Sequence, residues 1–179
     1  NLDDLIAGEW IESVLATGDL DDSYSVGYHH WSPDGTRLVY GMSTGLWVAT
    51  LTPSLPVIHE NGGGNVFQLS SEGWHPRWSP DGERIAFDVH FEIWTIKQDG
   101  TELTRVVPRT NSDFYIAPVW SPDGKHFALW HRKVAKGLQF TYYLVRVPST
   151  GGSATTVYKG NIYSEKQPLG WHSNLTSTP

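Results

Sequence analysis

The chain has 179 residues, 39% hydrophobic and 18% charged, with a formal net charge of −6. That is a globular balance sized for one core. The acidic charge and the lack of a Lys/Arg stripe exclude nucleic acid and anionic membrane surfaces, which need clustered cations. Without cysteine, disulfide scaffolds, thiolate zinc sites and cysteine nucleophiles are excluded as well.

No apolar run approaches the ~18 residues of a membrane-spanning helix. There is no signal-peptide pattern, and the sequence opens on Asn1 rather than Met, as expected of a processed or trimmed chain.

Along the chain, residues 9–15 read as an outer strand of an incomplete blade. Asp19, Asp21 and Asp22 follow as an acidic cluster. Carboxylates in such a cluster are weak candidates for calcium. The alternating calcium-loop pattern is absent, so a solvated loop is the favoured reading.

Then comes a repeat. Trp31-Ser32-Pro33-Asp34-Gly35 returns as Trp78-Ser79-Pro80-Asp81-Gly82 and as Trp120-Ser121-Pro122-Asp123-Gly124, at spacings of 47 and 42 residues. Such periods suit four-stranded propeller blades. The flanks align too: Arg37–Tyr40, Arg84–Phe87 and His126–Leu129 are matching apolar strands. Trp47 and Trp94 mark the third strands, and Val145 takes that place in the third copy, after a longer hairpin. The strands expected are 26–31, 36–42, 45–51 and 56–69; then 73–78, 84–89, 92–97 and 103–108; then 115–120, 125–131, 140–147 and 154–158. A decayed fourth copy begins at Trp171, within a partial blade strand at 167–173.

The pentapeptide carries its own turn chemistry. Pro presets φ at position i+1, Asp suits i+2, and Gly takes the left-handed position that closes the hairpin. The Trp ending each first strand is expected to offer its face to the next blade.

These Trp-Ser-Pro-Asp-Gly blades, with Glu92–Thr101 as third strand and turn, resemble the WD40-like (PD40) repeats of TolB-type β-propellers over about 26–173. The fold class expected is all-β, a propeller of four-stranded antiparallel blades. About three blades are complete (26–69, 73–108 and 115–158) and both ends are partial. Propellers have at least four blades. The chain is therefore expected to be a fragment, to close its ring with a second copy as a homodimer, or to be a small open or four-bladed variant. The resemblance implies a periplasmic or secreted setting and a protein partner.

Positions one and three before each repeat Trp are expected to face the central channel. They are His30 and Tyr28, Arg77 and His75, and Val119 and Ala117. Tyr28, His30, His75, Arg77 and, on a loop, Tyr115 are thus the candidate binding residues at channel or rim. The insertion around Arg132–Gly137 is a further exposed contact. His30 and His75 are also weak metal candidates, since neutral imidazole is a common ligand. Some relatives of the resembled family, oligogalacturonate lyases among them, hold a divalent metal such as manganese on channel histidines. Water-facing channel residues are the favoured reading, and no cofactor is expected.

Asn61–Asn65 is glycine-rich but lacks the Gly-Lys-Ser/Thr ending of a phosphate loop. Asn174-Leu175-Thr176 fits a glycosylation sequon. No Gly-x-Ser-x-Gly or His-Glu-x-x-His pattern occurs, so no catalytic residue is assigned. The reading is a non-enzymatic binding or scaffold module for protein, peptide or glycan. The alternatives are a metal-dependent propeller lyase, or the propeller of a larger prolyl-oligopeptidase-like hydrolase whose catalytic domain lies outside this chain.

Overall fold

The computed structural model describes residues 28–50, 66–134 and 140–160. The expectations for 9–15, Asp19, Asp21, Asp22, the 61–65 glycines, the fourth copy and the sequon lie outside them. Among the described residues no helix is long and apolar enough to cross a membrane.

The described residues form twelve strands in three antiparallel sheets of four. The first is β1 (His29–Trp31), β2 (Arg37–Met42), β3 (Gly45–Thr50) and β4 (Val66–Ser70). The second is β5 (Trp74–Trp78), β6 (Arg84–Val89), β7 (Glu92–Lys97) and β8 (Thr104–Val107). The third is β9 (Asp113–Trp120), β10 (His126–Val134), β11 (Phe140–Pro148) and β12 (Thr155–Gly160). Each sheet is a meander in sequence order, and together they are propeller blades in an open arc. In the third blade β9 begins at Asp113 and β10 runs to Val134, because the ladder continues through His131↔Tyr115, Arg132↔Phe114 and Lys133↔Asp113. Val145 pairs with Leu129 as Trp47 pairs with Tyr40 and Trp94 with Phe87.

Alternation along β6 sends Ile85 and Phe87 to one face and Ala86 to the other. Ile85 and Phe87 join Val39, Leu46, Val48 and Trp78 in a core between the first two blades. Ala86 joins Ile93, Phe127, Leu129, Val145 and Val147 between the second and third. Each buried large side chain contributes roughly 1.5–3 kcal/mol.

The repeat tryptophans face the preceding blade rather than the next. Trp78 shares a core with Val39 and Val48 of the first blade, and Trp120 packs against the cluster holding Val107 of the second. The register gives the reason. Trp78 pairs with Ile85 and Trp120 with Phe127, so each ring takes its partner's side of the sheet. The guanidinium of Arg37 caps the Trp78 ring at 4.9 Å, a favourable cation–π geometry.

The pentapeptide turns are superimposable in their bonding. Ser79 Oγ donates to Asp81 Oδ1 at 2.6 Å and accepts from the Arg84 N–H at 2.9 Å, while the Glu83 N–H donates to Asp81 at 3.0 Å. The Gly82 N–H closes the turn on the Ser79 carbonyl at 2.9 Å. Ser32–Asp34 and Ser121–Asp123 repeat the set, each with a 2.6 Å hydroxyl–carboxylate bond. Gly35, Gly82 and Gly124 have φ of 70°, 75° and 68°, the left-handed region that costs an L side chain strain. Ser79 is 2% exposed. Ser79→Ala removes one donor and one acceptor there and should cost about 1–2 kcal/mol, read by urea denaturation.

These bonds also hold the carboxyls ionised. Ser32 and Thr36 bring Asp34 down to about 2, and the Asp81 and Asp123 values fall too, chiefly through Ser79 and Ser121. A carboxyl with a lowered folded pKa stabilises fully above its unfolded value and loses that contribution as pH falls through the folded one. Stability is therefore expected to decline from about pH 4 toward pH 2. A pH series of thermal melts checks this, and Asp34→Asn should flatten the slope.

The β6–β7 turn departs from the usual chemistry. His90 and Phe91 have φ of 51° and 66°, the pair of left-handed residues of a type I′ hairpin that Asn-Gly normally fills. The Phe91 carbonyl accepts from the Tyr115 N–H of β9 at 2.9 Å. The ring lies edge-on to Phe114 at 5.4 Å. The following blade thus holds a conformation that the local sequence disfavours.

Candidate functional site

The first strands β1, β5 and β9 lie side by side along the concave side of the arc, with β5 packed against both of the others. Successive strands are antiparallel, so the pentapeptide turns share one rim. The β2–β3 and β6–β7 turns, and the starts of β1, β5 and β9, share the other. Tyr28 and His75 lie toward this second rim, while His30 and Arg77 directly precede the repeat tryptophans.

His75 has a φ of 51°, and the register of β5 on β6 slips between Trp74 and Arg77. This is a β-bulge. Ala117 repeats it at the equivalent position with a φ of 54°. A proline follows each, Pro76 and Pro118, both fully buried; proline tolerates a bulge because no ladder donor is needed there. Simple alternation along the strand therefore fails at this point. The bulge leaves the His75 ring against Tyr28 and Asp88.

His75 Nδ1 donates to Asp88 Oδ1 at 2.7 Å, and the Tyr28 ring lies 3.9 Å from the imidazole, centroid to centroid. Asp88 is 5% exposed, and the same oxygen accepts the Ala117 N–H at 2.8 Å. One carboxylate of β6 thus fastens β5 to β9. When Nδ1–H of a neutral imidazole donates to a carboxylate, Nε2 is the remaining acceptor of the ring. No hydrogen-bond partner to His75 Nε2 occurs among the described residues.

Arg77 Nη1 donates to the carbonyls of His29 at 3.3 Å and Pro76 at 3.1 Å. Burial lowers the Arg77 pKa, and the Tyr28 phenol opposes that weakly. His30 Nδ1 accepts the Trp78 N–H at 3.2 Å. Burial, then Arg77 and His29, push the His30 pKa down to about 4, so this ring is neutral at pH 7. The structure thus brings Tyr28, His30, His75 and Arg77 to the junction of β1 and β5.

Tyr115 belongs to a separate group in the third blade. It stacks on His131 at 4.8 Å, and His131 stacks on Tyr143 at 5.4 Å. His131 Nε2 donates to Asp113 at 2.8 Å. Asp113 also accepts from Thr110 at 2.6 Å and Ser112 at 2.9 Å, and the Thr110 bond leads in lowering its pKa. Arg132 sits 4.8–5.0 Å from the rings of Phe91, Phe114 and Phe140. Of the 132–137 insertion, Arg132, Lys133 and Val134 are described, and they extend β10 rather than forming a loop.

The donor set does not assemble a metal site. Among the described residues no group of three or more His, Asp or Glu side chains is placed to hold an ion. His30 spends Nδ1 on a backbone N–H and His75 spends its own on Asp88.

No family model matches this chain, and neither does any curated protein. Solved structures do. The TolB protein of Agrobacterium tumefaciens aligns with TM-score 0.59 at 18% identity, covering 78% of this chain and 51% of that one. Oligogalacturonate lyase in complex with manganese aligns at 0.58 and 14% identity, over 76% of this chain and 41% of that one. The nidogen/laminin complex aligns at 0.52 and 12% identity, over 78% and 50%. The chain therefore spans about half the length of these neighbours or less. The likeness establishes the β-propeller fold.

Proposed function

We propose that this chain is the recognition surface of a TolB-like propeller, a module that binds a protein, peptide or glycan and carries out no chemistry itself. The observation behind this reading is the cluster at the β1–β5 junction. Tyr28, His30, His75 and Arg77 lie together, and the Tyr28 hydroxyl and both imidazole Nε2 atoms have no partner among the described residues. Polar groups that converge without partners at the mouth of a concave surface are the features of a binding site. Trp74, 46% exposed beside them, adds an aromatic contact face.

A metal-dependent lyase would need several convergent ligands, and at this junction the described residues offer two unpartnered imidazole nitrogens and no group of three His, Asp or Glu placed to hold an ion. The open flanks of the arc suit a protein partner or a second copy of the chain, and the repeat resemblance suits a periplasmic or secreted setting.

Binding of the purified chain to immobilised peptide and glycan arrays tests the reading. Retained binding should weaken about tenfold in Tyr28→Ala and His75→Ala, the scale of one lost interfacial hot spot, and persist in Thr36→Ala on the opposite rim. Binding indifferent to Tyr28 and His75, or turnover of an array substrate, would overturn it. Light scattering adds the native mass, and a dimer would identify the second copy as the partner that completes the ring.

A further inference from the structure

Arg77 carries an inference that deepens this reading and rests on it. Its side chain is half-buried, yet among the described residues no carboxylate lies within ion-pair distance of it, and both of its hydrogen bonds are to carbonyl oxygens. The other arginines in ion pairs are ordinary by comparison. Arg84 meets Glu102, and Arg105 meets Glu92 at 3.3 Å. Asp88, a buried carboxylate of the same blade, is taken by His75 and by the Ala117 N–H.

We infer that the β1–β5 junction is a recognition site for an oxyanion, a carboxylate or phosphate group of the ligand, gripped by Arg77 with the Tyr28 hydroxyl beside it. Partial burial of a cation costs solvation, and a ligand anion beside it offsets that cost. The two carbonyls hold Nη1 from β1 and β5, so Nη2 and Nε remain as the forked pair that matches a planar oxyanion. Preorganisation of this kind lowers the entropic cost of binding.

The site is linked to a proton. The groups facing His30 are Arg77 from β5 and His29 from its own strand. Arg37 of β2 is occupied over the Trp78 ring, and Asp88 of β6 by His75. An anion against Arg77 cancels the positive field on His30, so binding draws its pKa upward.

The test is an NMR titration of the whole chain, following the His30 imidazole and the Arg77 Nε–H, with sodium succinate, sodium phosphate and neutral succinamide as probes. Succinate or phosphate should shift the Arg77 Nε–H and raise the His30 midpoint by about one pH unit, and succinamide should do neither. Response to succinate alone identifies a carboxylate, and response to phosphate alone a phosphate. Arg77→Gln should abolish the response and Arg77→Lys should retain part of it. Tyr28→Phe, which keeps the ring on His75, should weaken it about threefold and serves if Arg77→Gln fails to fold. No response to either anion, an equal response to succinamide, or a response unchanged in Arg77→Gln overturns the proposal. If array binding falls in Tyr28→Ala but not in Arg77→Gln, the binding module stands and the oxyanion does not.

Discussion

Asp88→Ala should destabilise the chain by about 3 kcal/mol, a fall of roughly 6–12 °C in melting temperature for a domain of this size. The carboxylate oxygen ties two inner strands at once, through the Ala117 N–H and His75. Its removal leaves a buried N–H unpaired, and that loss exceeds the worth of an average hydrogen bond. Asp88→Asn keeps an acceptor for Ala117 and should cost about 1 kcal/mol in thermal melts. It should still disturb recognition, because the amide holds the His75 tautomer less strongly. Equal stability of Asp88→Ala and the parent chain would mean that the bulges, rather than the carboxylate, hold β9 in place.

The second large effect is expected at Phe127, which is fully buried and lies 4.4 Å from the Trp120 ring, centroid to centroid. Phe127→Ala should cost about 3–5 kcal/mol, as large-to-small changes in a close-packed core do. The location matters as much as the size. Phe127 packs with Ala86, Ile93 and Val107 of the second blade, so the lost contacts are those between repeats. In an array of repeats, stability is the sum of each unit and its neighbour interfaces. The third blade should therefore melt before the other two. Calorimetry should show a split transition, and Trp120 fluorescence should shift before the main unfolding. A single cooperative transition at lower temperature would refute the split.

The fold was readable in the sequence because the turn chemistry is repeated. Three Trp-Ser-Pro-Asp-Gly copies specify the turn, its bonding and the period of the strands around it. Tyr28, His30, His75 and Arg77, the residues of the proposed site, follow from counting back from the tryptophans, and they lie together at the β1–β5 junction. The direction of the Trp faces was misread, because strand pairing and not chain order sets the side of the sheet.

Strict alternation also missed the bulges at His75 and Ala117, although Pro76 and Pro118 signal that an inner strand cannot continue its ladder there. Asp88 was overlooked. Its signal is an acid inside an apolar strand, where the aligned residues are Gly41 and Trp130. The Asp113–His131–Tyr143 group had no such signal, since its members are spread over three strands and only the register brings them together.

The His90–Phe91 turn has a consequence for the order of folding. Its left-handed pair is held from outside, by a bond to Tyr115 and a ring contact with Phe114. Both partners follow it in the chain. A nascent polypeptide that has emerged only as far as Val107 has all four strands of the second blade but lacks the Phe114 and Tyr115 contacts to that hairpin. Blades mature one step behind synthesis in such a scheme, each finished by the inner strand of its successor. A ribosome stalled between β8 and β9 would then present a second blade whose β6–β7 turn is unformed.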